Sequence, residues 1–166
     1  TLDLGDSKFS AIGACCNLKI DASCGKRSNT ISSLSTSLSD FYIYTQFANC
    51  NIISNQTPAY YSPLHRNNCL NQPYYFNQGN LDTTNFDSIS YRLVAPLSTS
   101  GSTLTFKSGY YADQPLMPFY PAGRTYPYNE PAADPPIGFH LDNQTGYLIY
   151  TSVNATDAGP ISMDVS

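Results

Sequence analysis

Residues 135–150 read PPIGFHLDNQTGYLIY, and this stretch decides the fold class. An apolar–polar–apolar run, Phe139-His140-Leu141, breaks at Asp142-Asn143-Gln144-Thr145-Gly146 and resumes as Tyr147-Leu148-Ile149-Tyr150. Alternation puts Phe139 and Leu141 on one face of a strand. Asp and Asn side chains bond their own backbone, and Gly takes positive φ without steric cost, so the interruption reads as a turn. The chain then returns antiparallel, with Leu148 and Tyr150 facing one side. The unit is a β-hairpin.

Composition extends that reading to the whole chain. Its 166 residues suffice for one β-domain of ordinary size or two small ones. Only 12% are charged, against about 25% in a typical soluble domain. Polarity comes instead from Ser, Thr, Asn and Gln. The 14 Tyr and 8 Phe favour pleated, half-buried surfaces, and the 12 Pro and 10 Gly break the chain repeatedly. No window carries a sustained helical apolar stripe.

The same numbers bear on partners. A net charge of −4 with 8 scattered basic residues excludes a nucleic-acid surface, which needs clustered Lys and Arg. No apolar run approaches the roughly 18 to 20 residues of a membrane-spanning helix, so no membrane insertion is expected. No signal peptide is evident. Thr1 opens on folded-looking sequence and Ser166 closes an apparent strand, so both ends are expected to be cuts from something longer.

Five cysteines with few Lys point to an oxidising, extracellular setting. Cys15, Cys16, Cys24, Cys50 and Cys69 lack the spacing of a zinc site. Adjacent Cys15 and Cys16 do not bond each other without straining the peptide. The expected bridges are Cys50–Cys69, between two strand-like segments, and one of Cys15 and Cys16 with Cys24. One thiol is left over.

Along the chain, Lys8 to Cys16 and Phe41 to Phe47 alternate as strands, while residues 21–39 are polar, Ser-rich and read as loop or linker. Residues 49–57 look like a boundary, followed by short aromatic strands at Pro58 to Leu64 and Gln72 to Asn77. Ser88 to Leu97 is the best single strand, Ser98 to Ser102 a turn, and Leu104 to Phe106 its return. Tyr110 to Pro136 reads as a long Pro/Tyr-rich loop before the hairpin, and Ile161 to Val165 as the last strand. Eight or nine strands without helices fit an all-β, antiparallel Ig/cadherin-like β-sandwich with Greek-key connections. Residues 1–53 are assigned to a preceding β-domain or an N-terminal half, and residues 54–166 to the sandwich.

Several residues resemble a known family. Phe139-His140-Leu141-Asp142-x-x-Thr145-Gly146-x-Leu148, followed by Asp157-Ala158-Gly159 and a terminal strand, is similar to cadherin-like and bacterial Ig-like repeats. An ordered series is more specific. Cys15-Cys16 follows a strand, then come Asn49-Cys50-Asn51 and Cys69 ahead of Gln72-Pro73-Tyr74-Tyr75-Phe76-Asn77. An Asp-bearing loop precedes Ser88-Ile89-Ser90-Tyr91-Arg92-Leu93-Val94, and the Gly138 to Asp142 hairpin closes the series. It resembles the repeats of very large Bacteroidota surface proteins, the SprB-like gliding-motility adhesins. The resemblance covers about residues 8–165. It implies an extracellular, cell-surface β-domain in a long adhesive filament, exported by type IX secretion, whose partners are neighbouring repeats and an external surface or polysaccharide.

The resemblance also implies a calcium loop at Asp82 to Tyr91, where closely spaced oxygen ligands would hold the ion. Asp82, Asn85 and Asp87 are its candidates, with Asp142 or Asp157 to complete the shell. Thr84 and Phe86 interrupt the acidic spacing, and the competing reading is a turn in which these groups satisfy backbone amides. Calcium is the one cofactor the pattern admits. Thr83 and Ser88 resemble the Asp-[Ser/Thr]-apolar acceptor used for O-glycosylation in Bacteroidota, and Asn55, Asn143 and Asn154 open N-x-[ST] sequons.

No catalytic constellation emerges. His65 and His140 are the only histidines, alternation turns His140 away from the core, and no G-x-S-x-G elbow occurs. The remaining concentration of chemistry is aromatic. Tyr120, Tyr126 and Tyr128 lie in the Pro-rich loop, where they either stack on sugar rings or cap an open end of the sandwich. The expected function is a non-enzymatic structural and adhesive module, and the second reading is a glycan-binding module of a secreted protein.

Overall fold

A computed structural model describes residues 17–36, 40–48, 67–77, 79, 88–99 and 101–166. Among them the chain forms seven strands in three antiparallel sheets and no helix. In chain order these are β1 (Asn17–Lys26), β2 (Asp40–Ala48), β3 (Pro73–Asn77), β4 (Tyr91–Leu93), β5 (Phe139–Leu141), β6 (Tyr147–Thr151) and β7 (Met163–Val165).

The hairpin expected from residues 135–150 is β5–β6, and it forms the centre of the molecule. Phe139 pairs with Tyr150 and Leu141 with Leu148, so the apolar positions of both strands share one face. β3 adds to the other side of β6, bringing Tyr74 opposite Tyr150 and Phe76 opposite Leu148. Phe139, Leu148 and Tyr150 are buried, and Tyr74, Phe76, Leu93, Leu116, Leu141, Ile161 and Met163 pack against them. Ring centroids lie 4.8 Å apart for Phe139–Tyr150 and 5.2 Å for Tyr74–Tyr150, a spacing at which aromatic pairs add to simple burial. Pro73 opens β3 on the sheet edge, where its missing N–H costs nothing.

The turn is held by its own residues. The Asp142 Oδ1 accepts the amides of Gln144 at 2.9 Å and Thr145 at 2.8 Å. Gly146 adopts a φ of 73°, and a Cβ there would sit 2.8 Å from the Tyr91 ring. That close approach ties β4 to the hairpin, reinforced by the Tyr91 amide donating to Asn143 O at 2.9 Å. β4 in turn pairs with β7.

Two expectations change. Residues 21–26 belong to β1, not to a linker: their backbone pairs with β2, and Ala22 and Cys24 continue the alternation of Leu18 and Ile20 against Lys19, Asp21 and Ser23, a pattern hidden by the polar, Ser-rich run that follows. Residues 32–35, also read as linker, pack into the body. Leu34 is fully buried and bridges Phe106, Ser35 N donates to Thr105 O and Lys107 N to Ser33 O. The Ser88 to Leu97 strand shortens to β4, because Val94 N donates to Ser162 O and the chain then turns at Leu97 to pair with Thr103. The expected strands at Lys8 to Cys16 and Pro58 to Leu64, and the boundary at 53, lie outside the described residues.

Residues 110–136 run irregularly, as expected, through turns and single bridges such as Tyr111–Gln114, Pro118–Ser152 and Glu130–Ile137. They lie across the hairpin and build one wall of the cleft described next.

Candidate functional site

The expected ligand-binding tyrosines converge. Tyr120, Tyr126 and Tyr128 line a cleft of about 320 Å³, together with Tyr91–Leu93 of β4, Asp113 and Gln114, Pro127 and Asn129, and Phe139–Leu141 of β5. This volume sits near the lower end of the ~300–1,000 Å³ typical of small-ligand clefts. Gly138 allows the loop to approach: its φ is 80°, and a Cβ there would lie 2.5 Å from Tyr128 O. Asn129 Nδ2 donates to Phe139 O at 2.7 Å, closing the seam between loop and hairpin.

Each tyrosine is fixed by its hydroxyl. Tyr126 donates to the Asp113 carboxylate, with its oxygens at 3.0 and 3.1 Å. Tyr128 donates to Glu130 Oε2 at 2.7 Å and Tyr120 to Gln114 Oε1 at 2.5 Å. Two rings are also propped from one side. Tyr111 stacks on Tyr126 with centroids 4.1 Å apart and planes 14° from parallel. The Arg124 guanidinium sits 4.4 Å from the centre of the Tyr128 ring, a cation–π distance.

All three phenols are held above the ordinary tyrosine range. For Tyr120 the main cause is burial, followed by the neighbouring Tyr126 and Asp113. For Tyr126 it is burial and then the hydrogen bond to Asp113, and for Tyr128 chiefly the hydrogen bond to Glu130. Each therefore stays a neutral hydroxyl donor near pH 7. Gln114, 3% exposed, is the buried polar anchor of the cleft; its Nε2 donates to Gly109 O at 3.2 Å.

Sequence reasoning found the tyrosines but missed Asp113, Gln114 and Tyr91. A lone Gln or Asp in a Pro-rich loop carries no pattern, and only the fold brings residues 91, 113 and 126 to one place. His140, expected to face away from the core, is half-buried opposite Ile149 and lines the same cleft.

The other expected sites stay apart. Asp82, Thr83, Asn85 and Asp87 lie outside the described residues, and Ser88 is exposed. Asp142 is engaged in its turn. Asp157 accepts Ser32 Oγ at 2.6 Å and Tyr110 OH at 3.0 Å on Oδ1, and Met117 N at 2.6 Å on Oδ2. Both carboxylates are thus committed to local donors. Among the described residues no cluster of three His, Cys, Asp or Glu side chains could hold a metal ion. Cys69, expected in a bridge with Cys50, is exposed and carries a free thiol; Cys50, Cys15 and Cys16 lie outside the described residues, and Cys24 sits in β1 opposite Phe41.

No protein-family model, no curated protein and no solved structure matches the chain.

Proposed function

We propose that this chain is a non-enzymatic, adhesive β-module of a long extracellular cell-surface filament, an Ig/cadherin-like sandwich that meets an external surface or polysaccharide through its Tyr-walled cleft. The observation that carries this reading is the cleft itself: tyrosines from separate turns of one loop converge on it, each held by a hydrogen bond. Rings fixed before contact lose little conformational entropy on contact, which suits a surface that must grip repeatedly. The low charge supports the same reading, since contacts made by aromatic faces and hydroxyls depend weakly on salt. Neighbouring repeats of the filament are its partners along the chain axis, and calcium would bind through Asp82, Asn85 and Asp87.

Beads coated with the chain should attach to a polysaccharide film under flow and release no soluble sugar from it. Attachment no better than that of beads coated with an unrelated β-protein would refute the adhesive role, and steady release of sugar would make the module an enzyme. The cleft equally supports a second reading, a glycan-binding module of a secreted protein. Flanking sequence separates the two: many copies of this β-pattern favour the filament, a catalytic neighbour the secreted protein.

A further inference from the structure

The chemistry of the cleft narrows what it holds. Its hydrogen-bonding groups are weighted toward acceptors. Among the described residues Asp113 receives only the Tyr126 hydroxyl, and a carboxylate has about four lone-pair sites. The buried Gln114 amide donates to Gly109 O and accepts from Tyr120, which among the described residues leaves one of its two N–H groups for a further partner. A ligand must therefore both donate and accept over a short span, beside an aromatic face.

Sugar hydroxyls do both. A Pro-rich peptide, the other common occupant of Tyr-lined grooves, offers carbonyl acceptors and few N–H donors, so it would leave the Asp113 carboxylate facing acceptors. Charge sets a second limit. Of the charged residues lining the cleft, Arg92 is engaged by Asp164 at 2.8 Å, so Asp113 dominates and disfavours an acidic sugar. The ring chemistry sets a third. Tyr126 lines the cleft with one face covered by Tyr111, and an aromatic ring held in this way suits the C–H surface of a pyranose.

We propose that the cleft is a subsite for one uncharged hexopyranose residue of a polysaccharide, its apolar face against Tyr126 and its hydroxyls bonded to Asp113 and Gln114. This rests on the adhesive reading above and identifies the chemistry of its contact.

The test is a ligand-observed NMR titration of the intact chain with cellobiose, maltose, lactose and diacetylchitobiose, and with digalacturonic acid and decaproline as competitors in kind. At least one neutral disaccharide should bind at millimolar strength. Tyr126→Ala should weaken it about tenfold, Asp113→Asn comparably, and Tyr126→Phe no more than about threefold, because the phenyl ring keeps the stacking surface. Tyr75→Ala, on the exposed outer face of β3, is the folding and location control and should bind as the parent does. The proposal is overturned if no neutral disaccharide binds, if digalacturonic acid or decaproline binds more tightly, or if Tyr126→Ala and Tyr75→Ala behave alike. Bead attachment that persists without any soluble-sugar binding would remove this inference and leave the adhesive function standing; loss of both would remove the function as well.

Discussion

Single side chains act here as staples. Asp157 joins three segments far apart in sequence, by accepting Ser32 and Tyr110 hydroxyls and the Met117 amide. Removing the carboxylate leaves those donors half-buried and unpaired, so Asp157→Ala should cost about 1–3 kcal/mol in urea denaturation. Asp142 works over a shorter span. The amides of Thr145 and Gln144 hold its carboxyl below the usual range. A carboxylate with a depressed folded pKa contributes stability above its unfolded pKa and loses it as pH falls through the folded one. The amide signals of Gln144 and Thr145 should therefore keep their turn-like shifts below pH 4, where an ordinary Asp is already half protonated, and Asp142→Ala should abolish that resistance to acid. This turn was legible in the sequence because every group that makes it lies within five residues. The Asp157 staple was not, since nothing local marks Ser32 or Met117 as its partners.

At the scale of elements the molecule divides into a buried hairpin and an exposed ribbon. Leu148 is 1% exposed between β3 and β5, so Leu148→Ala should destabilise by about 2–5 kcal/mol. The β1–β2 ribbon offers the contrast. Ile43 is 52% exposed, and Ile43→Ser should change stability by no more than about 0.5 kcal/mol in the same denaturation series. Two-stranded ribbons are marginal in water, and this one is tied to the body where Arg27 donates to Asp40 O and Leu97 O. Its amides should exchange with solvent faster than those of β6. β5 and β6 were readable by alternation, and β3 by its aromatic content. β2, too, was readable by alternation; β1 was missed although Leu18, Ile20, Ala22 and Cys24 alternate with Lys19, Asp21 and Ser23, because the polar, Ser-rich run after it reads as one loop from residue 21 onward. Ser88 to Leu97 showed the period but outran its partner, since β7 and its flanks offer pairing only as far as Val94.

The whole molecule carries an unusual share of its polar chemistry on phenols. Tyr110, Tyr120, Tyr126, Tyr128 and Tyr150 are all raised above the ordinary range, through burial or hydrogen bonds to carboxylates. A raised folded pKa favours the protonated form, so this stability is fully present below the unfolded value of about 10 and is lost as pH rises through the folded ones. Thermal midpoints should stay level on the tyrosine account up to about pH 9 and fall above pH 10, with tyrosinate absorbance appearing together with unfolding.

By itself the sequence determined the β-class, the Asp142–Gly146 turn, the inward face of the hairpin and the aromatic character of the loop, because each follows from contacts within a few residues. The tertiary structure alone decided that β3 joins β6, that Leu34 enters the body, and that Asp113, Gln114 and Tyr91 meet the loop tyrosines at one cleft. Those pairings close loops of tens of residues whose entropic cost barely depends on which partner is chosen, so the choice rests on the fit of whole faces, which no local pattern encodes.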